Sequence, residues 1–272
     1  MTGVPASLFA PGGVAVVGAT GEDGSVGRAV LENLRADFEG DVYAVNPNRE
    51  SALGGPCPDA VSDIGDAVDL AVIVVPPKVA VAAVRDAGEA DVDSVVVITA
   101  GFGEAGAEGA AREQELREAA ADHDLALVGP NSLGVLSTPA GLNATFGPRM
   151  ADTGPGPFMS QSGAFVTAVL DWAADRDLGF KDVVSLGNKA VLDESDFAAA
   201  WGDDPETDVI MGYLEDVADG RGFVETAREV TADTPIVAVK SGRTAAGASA
   251  AASHTGALAG SERAYEARLD QA

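Results

Sequence analysis

Val14-Ala15-Val16-Val17-Gly18-Ala19-Thr20-Gly21-Glu22-Asp23-Gly24-Ser25-Val26-Gly27 runs from four consecutive apolar residues into a glycine-rich turn and then into helical spacing. A short aliphatic run that stops at a glycine turn reads as a strand buried on both faces. The turn then feeds a helix expected over about 26–36. The pattern repeats downstream. Strands are expected at 42–45, 70–75, 95–98 and 125–128, with amphipathic segments at 79–87 and 110–121 between them. Buried strands alternating with helices define an α/β fold built on a parallel, doubly wound sheet.

Between 136 and 156 the composition changes to Pro139, Pro148 and Pro155 among Gly141, Gly147, Gly154 and Gly156, which reads as a linker. A second α/β series follows. Its strands are expected at 157–160, 183–186, 209–214 and 235–240, its helices at 163–174, 194–201 and 223–230, and a last helix at 257–269. The expected organisation is therefore a first domain over 1–135, a linker over 136–156, and a second domain over 157–272. The chain stops where a further strand is expected, so the second domain reads as incomplete.

The 272 residues carry a formal net charge of −26, with acids spread along the chain and lysine only at 78, 181, 189 and 240. A dispersed acidic surface over an intact aliphatic pattern points to a folded protein of a salt-rich, halophilic cytoplasm. Nucleic-acid binding is excluded because no basic stripe exists. No apolar run approaches the length of a membrane span, and no basic-then-apolar leader opens the chain, so a cytoplasmic location is expected. Cys57 is the one cysteine, which excludes an internal disulfide and a zinc cluster, and no metal site is expected. An anionic ligand remains compatible with the charge, since at about 1 M salt the Debye length is only about 3 Å.

The first glycine turn suits a phosphate that meets the helix start, which makes Gly18, Thr20, Gly21, Ser25, Val26 and Gly27 candidate cofactor-binding residues. The spacing is not that of a dinucleotide fingerprint. Strand two ends Asn46-Pro47-Asn48-Arg49 rather than in an acid, so Asn46, Asn48 and Arg49 suit a phosphorylated nucleotide better than NAD. No lysine follows a glycine in P-loop spacing. Ligands of such sheets lie beyond the carboxyl ends of the strands, which adds Val75 and Pro76 after strand three and Thr99, Gly101 and Phe102 after strand four.

Ser253-His254-Thr255-Gly256 follows the small-residue run 247–252 and precedes the last expected helix. An imidazole at a helix start is poorly placed for a core and well placed to be a nucleophile that carries an anion. The other histidine, His123 in Asp122-His123-Asp124, reads as a solvated turn residue. Ser160 and Ser162 sit on a strand-to-helix turn but lack the G-x-S-x-G elbow of a serine hydrolase.

Five motifs occur in order: Val14-Ala15-Val16-Val17-Gly18-Ala19, Gly129-Pro130-Asn131-Ser132-Leu133-Gly134, Ser160-Gln161-Ser162-Gly163, Ser185-Leu186-Gly187-Asn188-Lys189 and Ser253-His254-Thr255-Gly256. With them the chain resembles the α-subunit type of the NDP-forming acyl-CoA synthetases, which include succinyl-CoA synthetase and the archaeal ADP-forming acetyl-CoA synthetases. The resemblance implies an N-terminal Rossmann-like CoA-binding domain followed by a flavodoxin-like ligase domain. It also implies the reaction of acyl-CoA, phosphate and ADP to carboxylic acid, CoA and ATP, through an acyl phosphate and a phosphohistidine at His254.

Under this resemblance Glu215 orients the imidazole, and Ser162, Gly163, Asn188, Lys189, Thr255 and Gly256 hold phosphate. Asn131 joins the CoA-binding set. CoA and phosphate bind this chain, whereas ADP or ATP with Mg2+ binds an ATP-grasp β subunit or fused domain, giving a hetero-oligomer. Phe146, Phe165 and Tyr213 are candidates for an acyl pocket. Relatives commonly carry an acid two residues after the motif lysine, where this chain has Val191; Asp193 is the candidate substitute. The rival reading is a non-catalytic CoA-binding regulatory module, such as the CoA-ligase-like half of a protein acetyltransferase.

Overall fold

The computed structural model describes residues 3–217 and 219–241. His254, Thr255, Gly256 and the expected helix at 257–269 lie outside them.

The opening stretch forms β1 (Gly13–Val17) and α1 (Val26–Asp37). All of β1 is buried, with Val14 and Val16 in one core and Ala15 and Val17 in another, as a strand covered on both faces requires. Ser25 caps α1 by accepting the N–H of Arg28, and Val30, Leu31 and Leu34 form its buried stripe. Then come β2 (Asp41–Val45), a small hairpin of β3 (Ser51–Ala52) and β4 (Gly55–Pro56), β5 (Leu70–Ile73), α2 (Pro77–Glu89), β6 (Ser94–Val97), α3 (Ala107–Asp122) and β7 (Ala126–Val128). Proline at the first position of α2 removes an N–H that would have no acceptor there. The sheet is parallel in the order β2-β1-β5-β6-β7. Its order reverses at β1, so a crevice opens between the carboxyl ends of β1 and β5.

The second unit contains β8 (Gly134–Ser137), β9 (Leu142–Thr145), β10 (Asp152–Thr153), β11 (Phe158–Ser160), α4 (Gly163–Ala174), β12 (Gly179–Phe180), β13 (Asp182–Ser185), α5 (Glu194–Gly202), β14 (Ile210–Leu214), α6 (Gly220–Val230) and β15 (Ile236–Lys240). The six-stranded order is β15-β14-β11-β13-β8-β9, with β8 antiparallel to both β13 and β9 and the other pairings parallel. Here the reversal falls at β11, which puts a second crevice between β11 and β14.

The stretch read as a linker over 136–156 differs from expectation. Ser137 and Leu142–Thr145 belong to an antiparallel hairpin that closes the edge of the second sheet. Each strand holds only four residues, with Val135, Leu136, Leu142 and Ala144 fully buried, while Pro139 lies in the turn and Pro148 beyond the hairpin. Too few residues alternate for a period to stand out against the prolines.

One core joins the two sheets. It links Val14, Val16, Leu70 and Val72 of the first sheet and Leu31 and Leu34 of α1 to Ala144, Met159, Val184 and Ile210 of the second. A second core lies under α2 and α3, and a third under α4.

Candidate functional site

The carboxyl ends of both sheets meet on a single cleft of about 820 Å³. Its first wall includes Val26 at the start of α1, Val75 and Pro76 after β5, and Thr99 after β6. Its second wall includes Ser162 and Gly163 at the start of α4, Asn188 and Lys189 after β13, and Glu215 after β14. Asn131 bridges the two walls. The cleft therefore gathers ten of the candidate catalytic, phosphate-binding and cofactor-binding residues, along with Phe146 of the candidate acyl pocket.

Of the remaining candidates among the described residues, Gly101 and Phe102 lie in the loop after β6 and the others surround the glycine turn. Gly18 has a φ of 96°, and a side chain there would meet Val75 Cγ1 at 2.9 Å. A side chain at Gly27 would run into the carbonyl of Gly18, so the pair sets the close approach of α1 to β1. Thr20 Oγ1 accepts the N–H of Glu22 at 3.2 Å, and the Gly21 carbonyl accepts Arg28 Nη1 at 2.9 Å. Asn46 Nδ2 donates to the Ala19 carbonyl at 2.7 Å and its Oδ1 accepts Asn48 N–H at 3.0 Å. Arg49 pairs with Glu22.

Phe102 differs from expectation: its ring is fully buried in the core under α2 and α3, so it offers the loop only backbone. The N–H groups of Gly101 and Phe102 both donate to the Glu104 carboxylate. Asn188 Nδ2 donates to Glu104 Oε2 at 2.6 Å and to Glu113 Oε2 at 2.8 Å, clasping the second sheet's loop to the first domain. Burial raises the Glu104 carboxyl, but Asn188 and these backbone donors outweigh it and hold Glu104 below the usual carboxylate range.

Lys189 is also engaged by protein groups. Its side chain is 7% exposed and its Nζ lies 3.0 Å from Glu194 Oε2 and 2.9 Å from Asp216 Oδ1. Burial alone lowers such an ammonium, yet the two carboxylates outweigh it and raise the Lys189 pKa above the ordinary lysine value. Burial pushes Glu194 up despite Lys189, whereas Lys189 draws Asp216 below its ordinary value against burial. Lys189 is thus largely neutralised before any anion arrives. The acid that meets it is Glu194; Asp193 instead caps α5 by accepting Ser195 N–H at 2.8 Å.

The start of α4 is better placed for an anion. Ser162 Oγ accepts the N–H of Phe165 at 3.3 Å, which leaves its own O–H as a donor. Gly163 and Ala164, the first two residues of α4, line the cleft, where first-turn N–H groups lack helical acceptors. A side chain at Gly163 would come to 3.2 Å from Leu133 Cβ.

Of the aromatic candidates, Phe146 lines the cleft, while Phe165 and Tyr213 stack on each other at 4.1 Å and pack against the core under α4. His123 ends α3 half-buried, its ring against Gly88 of α2, rather than standing in solvent. Gln161, Glu194, Asp216, Glu104 and Glu113 belong to the site and were not singled out from sequence. Gln161 and Asp216 adjoin residues that were; the other three are acids among 43.

Residues 13–138 match the family of CoA binding domains, and residues 153–272 match the succinyl-CoA ligase like flavodoxin domain. These two domains in this order, together with relatives that are ADP-forming acyl-CoA ligases, put the chain in the NDP-forming acyl-CoA synthetase family. Within it the chain is of the α-subunit type found in ADP-forming acetate–CoA ligases. It is 50% identical over 264 residues to acetate–CoA ligase [ADP-forming] I of Archaeoglobus fulgidus, covering 97% of this chain and 38% of that protein. It is 44% identical to the α subunit of acetate–CoA ligase [ADP-forming] I of Pyrococcus furiosus, covering 97% of this chain and 58% of that one. A solved structure of acetyl-coenzyme A synthetase 1 from Ca. Korarchaeum cryptofilum, in complex with phosphate and ADP, superposes with a TM-score of 0.92. That pair is 43% identical, over 97% of this chain and 57% of the other. The chain thus spans between about two fifths and three fifths of these relatives. No helix of the described residues is long and apolar enough to cross a membrane.

Proposed function

We propose that this chain is the CoA-binding, phosphoryl-carrying part of an ADP-forming acyl-CoA synthetase, with His254 as the phosphorylated residue. The observation that carries the reading is the single cleft shared by the carboxyl ends of two doubly wound sheets. The first crevice suits the CoA pantetheine and phosphates, and the start of α4 suits the phosphate that attacks the thioester. In the forward direction a phosphate oxygen bonds to the acyl carbon and the C–S bond breaks, giving acyl phosphate and CoA thiolate. The neutral imidazole of His254 then takes the phosphoryl group and releases the carboxylate. Ser162 O–H and the first N–H groups of α4 stabilise the charge in both steps, and Glu215 fixes the imidazole tautomer.

The net reaction needs ADP and Mg2+ on an ATP-grasp subunit or fused domain, so the working enzyme is a hetero-oligomer or a longer chain. Thr255 and Gly256 hold the phosphoryl group beside His254. The site of action is the cytoplasm of a salt-adapted cell, consistent with the net charge of −26.

Incubation of the full chain with acetyl [32P]phosphate tests the reading. Acid-labile, base-stable label that disappears in His254→Ala is expected. An unlabelled chain that still binds CoA supports the regulatory-module alternative instead.

A further inference from the structure

Glu215 is the proposed orienting carboxylate, yet it sits on a loop just beyond β14, where no ladder bond fixes it. The loop is instead held by a side chain from the neighbouring strand end. Gln161, the first residue after β11, uses its Oε1 to accept the N–H of Glu215 and, at 2.9 Å, the N–H of Asp216. Its Nε2 donates to the Asp216 carboxylate. The Glu215 carbonyl accepts Lys240 Nζ at 2.5 Å from the end of β15. Glu215 is therefore gripped on both sides of its own backbone unit.

The grip has a buried root. Asp216 Oδ1 accepts Lys189 Nζ at 2.9 Å, and Lys189 is paired at 3.0 Å with Glu194, whose side chain is fully buried at the start of α5. A continuous chain of polar contacts thus runs from α5 through the loop after β13 to the loop after β14 and the mouth of β11. Its members are amide, carboxylate and ammonium groups, and Glu194 meets the chain only through its ion pair with Lys189, so displacing Lys189 leaves two carboxylates without their cation.

We infer that Gln161 is the positioning residue for Glu215, anchored through Asp216 and Lys189 on buried Glu194. The inference rests on the reading of Glu215 as the orienting carboxylate. It also gives the motif lysine a function other than contacting phosphate: Lys189 holds the loop that carries Glu215. Gln161 touches no reacting atom in this scheme and acts through Glu215.

The test is a double-mutant cycle on labelling of the full chain by acetyl [32P]phosphate. Gln161→Met keeps the length of the side chain and removes all three of its hydrogen bonds. Gln161→Glu keeps the oxygen that accepts the two N–H groups but sets a second carboxylate against that of Asp216. Outer-shell partners of this kind are worth about tenfold to a hundredfold in rate. Gln161→Met and Glu215→Gln are each expected to slow labelling by about that factor, and the double variant to be no slower than Glu215→Gln within about twofold. Gln161→Glu, which keeps the acceptor for Glu215 N–H but repels Asp216, is expected to label more slowly than wild type.

Losses that multiply in the double variant overturn the inference, as does a Gln161→Met chain that labels at the wild-type rate. An unlabelled wild type overturns the phosphohistidine reading and this inference with it. A labelled wild type with multiplying losses overturns the inference alone.

Discussion

Lys189 decides how the charged part of the cleft behaves. Removing one member of a buried ion pair leaves its partner uncompensated, at a cost of about 3–5 kcal/mol. Lys189→Met is therefore expected to lower unfolding free energy by about that amount in urea titrations. Changing Glu194→Gln in the same chain is expected to recover a large part of it. The contributions of Asp216 and Glu194 to the pH dependence have opposite signs. In the wild type, Asp216 is held below its ordinary value, so its contribution is present above the unfolded pKa and is lost as pH falls through the folded one. In Lys189→Met, Glu194 is a buried carboxylate without its cation, and its folded pKa rises further above the ordinary value. Its penalty grows as pH rises through that interval, so the deficit of the variant relative to the wild type narrows on acidification. Parallel losses in both proteins on acidification would contradict this assignment.

At the scale of elements, the start of α4 combines a cap with a proposed anion site. Ser162→Ala removes the cap and is expected to cost about 1 kcal/mol of stability. Its effect on labelling by acetyl phosphate is expected to exceed tenfold, since an oxyanion donor is typically worth about 10²–10³. A labelling loss no larger than the stability loss explains would mean that Ser162 is only a cap. The approach of α1 to β1 is tested by Gly27→Ala, whose added carbon meets the Gly18 carbonyl. Overpacking of this kind costs about 1–3 kcal/mol, and CoA affinity measured by calorimetry is expected to fall with it. These two elements were also the most legible in the sequence. Ser162 followed by an apolar run gave α4 its observed bounds, Gly163–Ala174, and four aliphatic residues before Gly18 marked β1. β8 and β9 were hidden, because four-residue strands between prolines carry too little periodicity. The contacts of Asn188 with Glu104 and Glu113, 84 and 75 residues away, were hidden for a different reason: no local pattern encodes a meeting made by two folded sheets.

At the scale of the whole molecule, a net charge of −26 repels itself at low ionic strength. The Debye length falls from about 10 Å at about 0.1 M to about 3 Å at about 1 M, so the unfolding temperature is expected to rise with KCl over that interval. A flat response in differential scanning calorimetry would separate this acidic surface from a requirement for salt. The core that runs from Val14 and Leu70 through α1 to Val184 and Ile210 bears on motion rather than stability. Domains joined by a polar contact tend to hinge, whereas those with continuous apolar packing do not open without exposing it. The two crevices are in effect opposite jaws of a vice already tightened, and the gap between them is expected to keep one width. In the proposed reaction, any distance between the CoA thiol and a nucleotide on another domain is then crossed by the phosphoryl carrier and not by hinging of these two units.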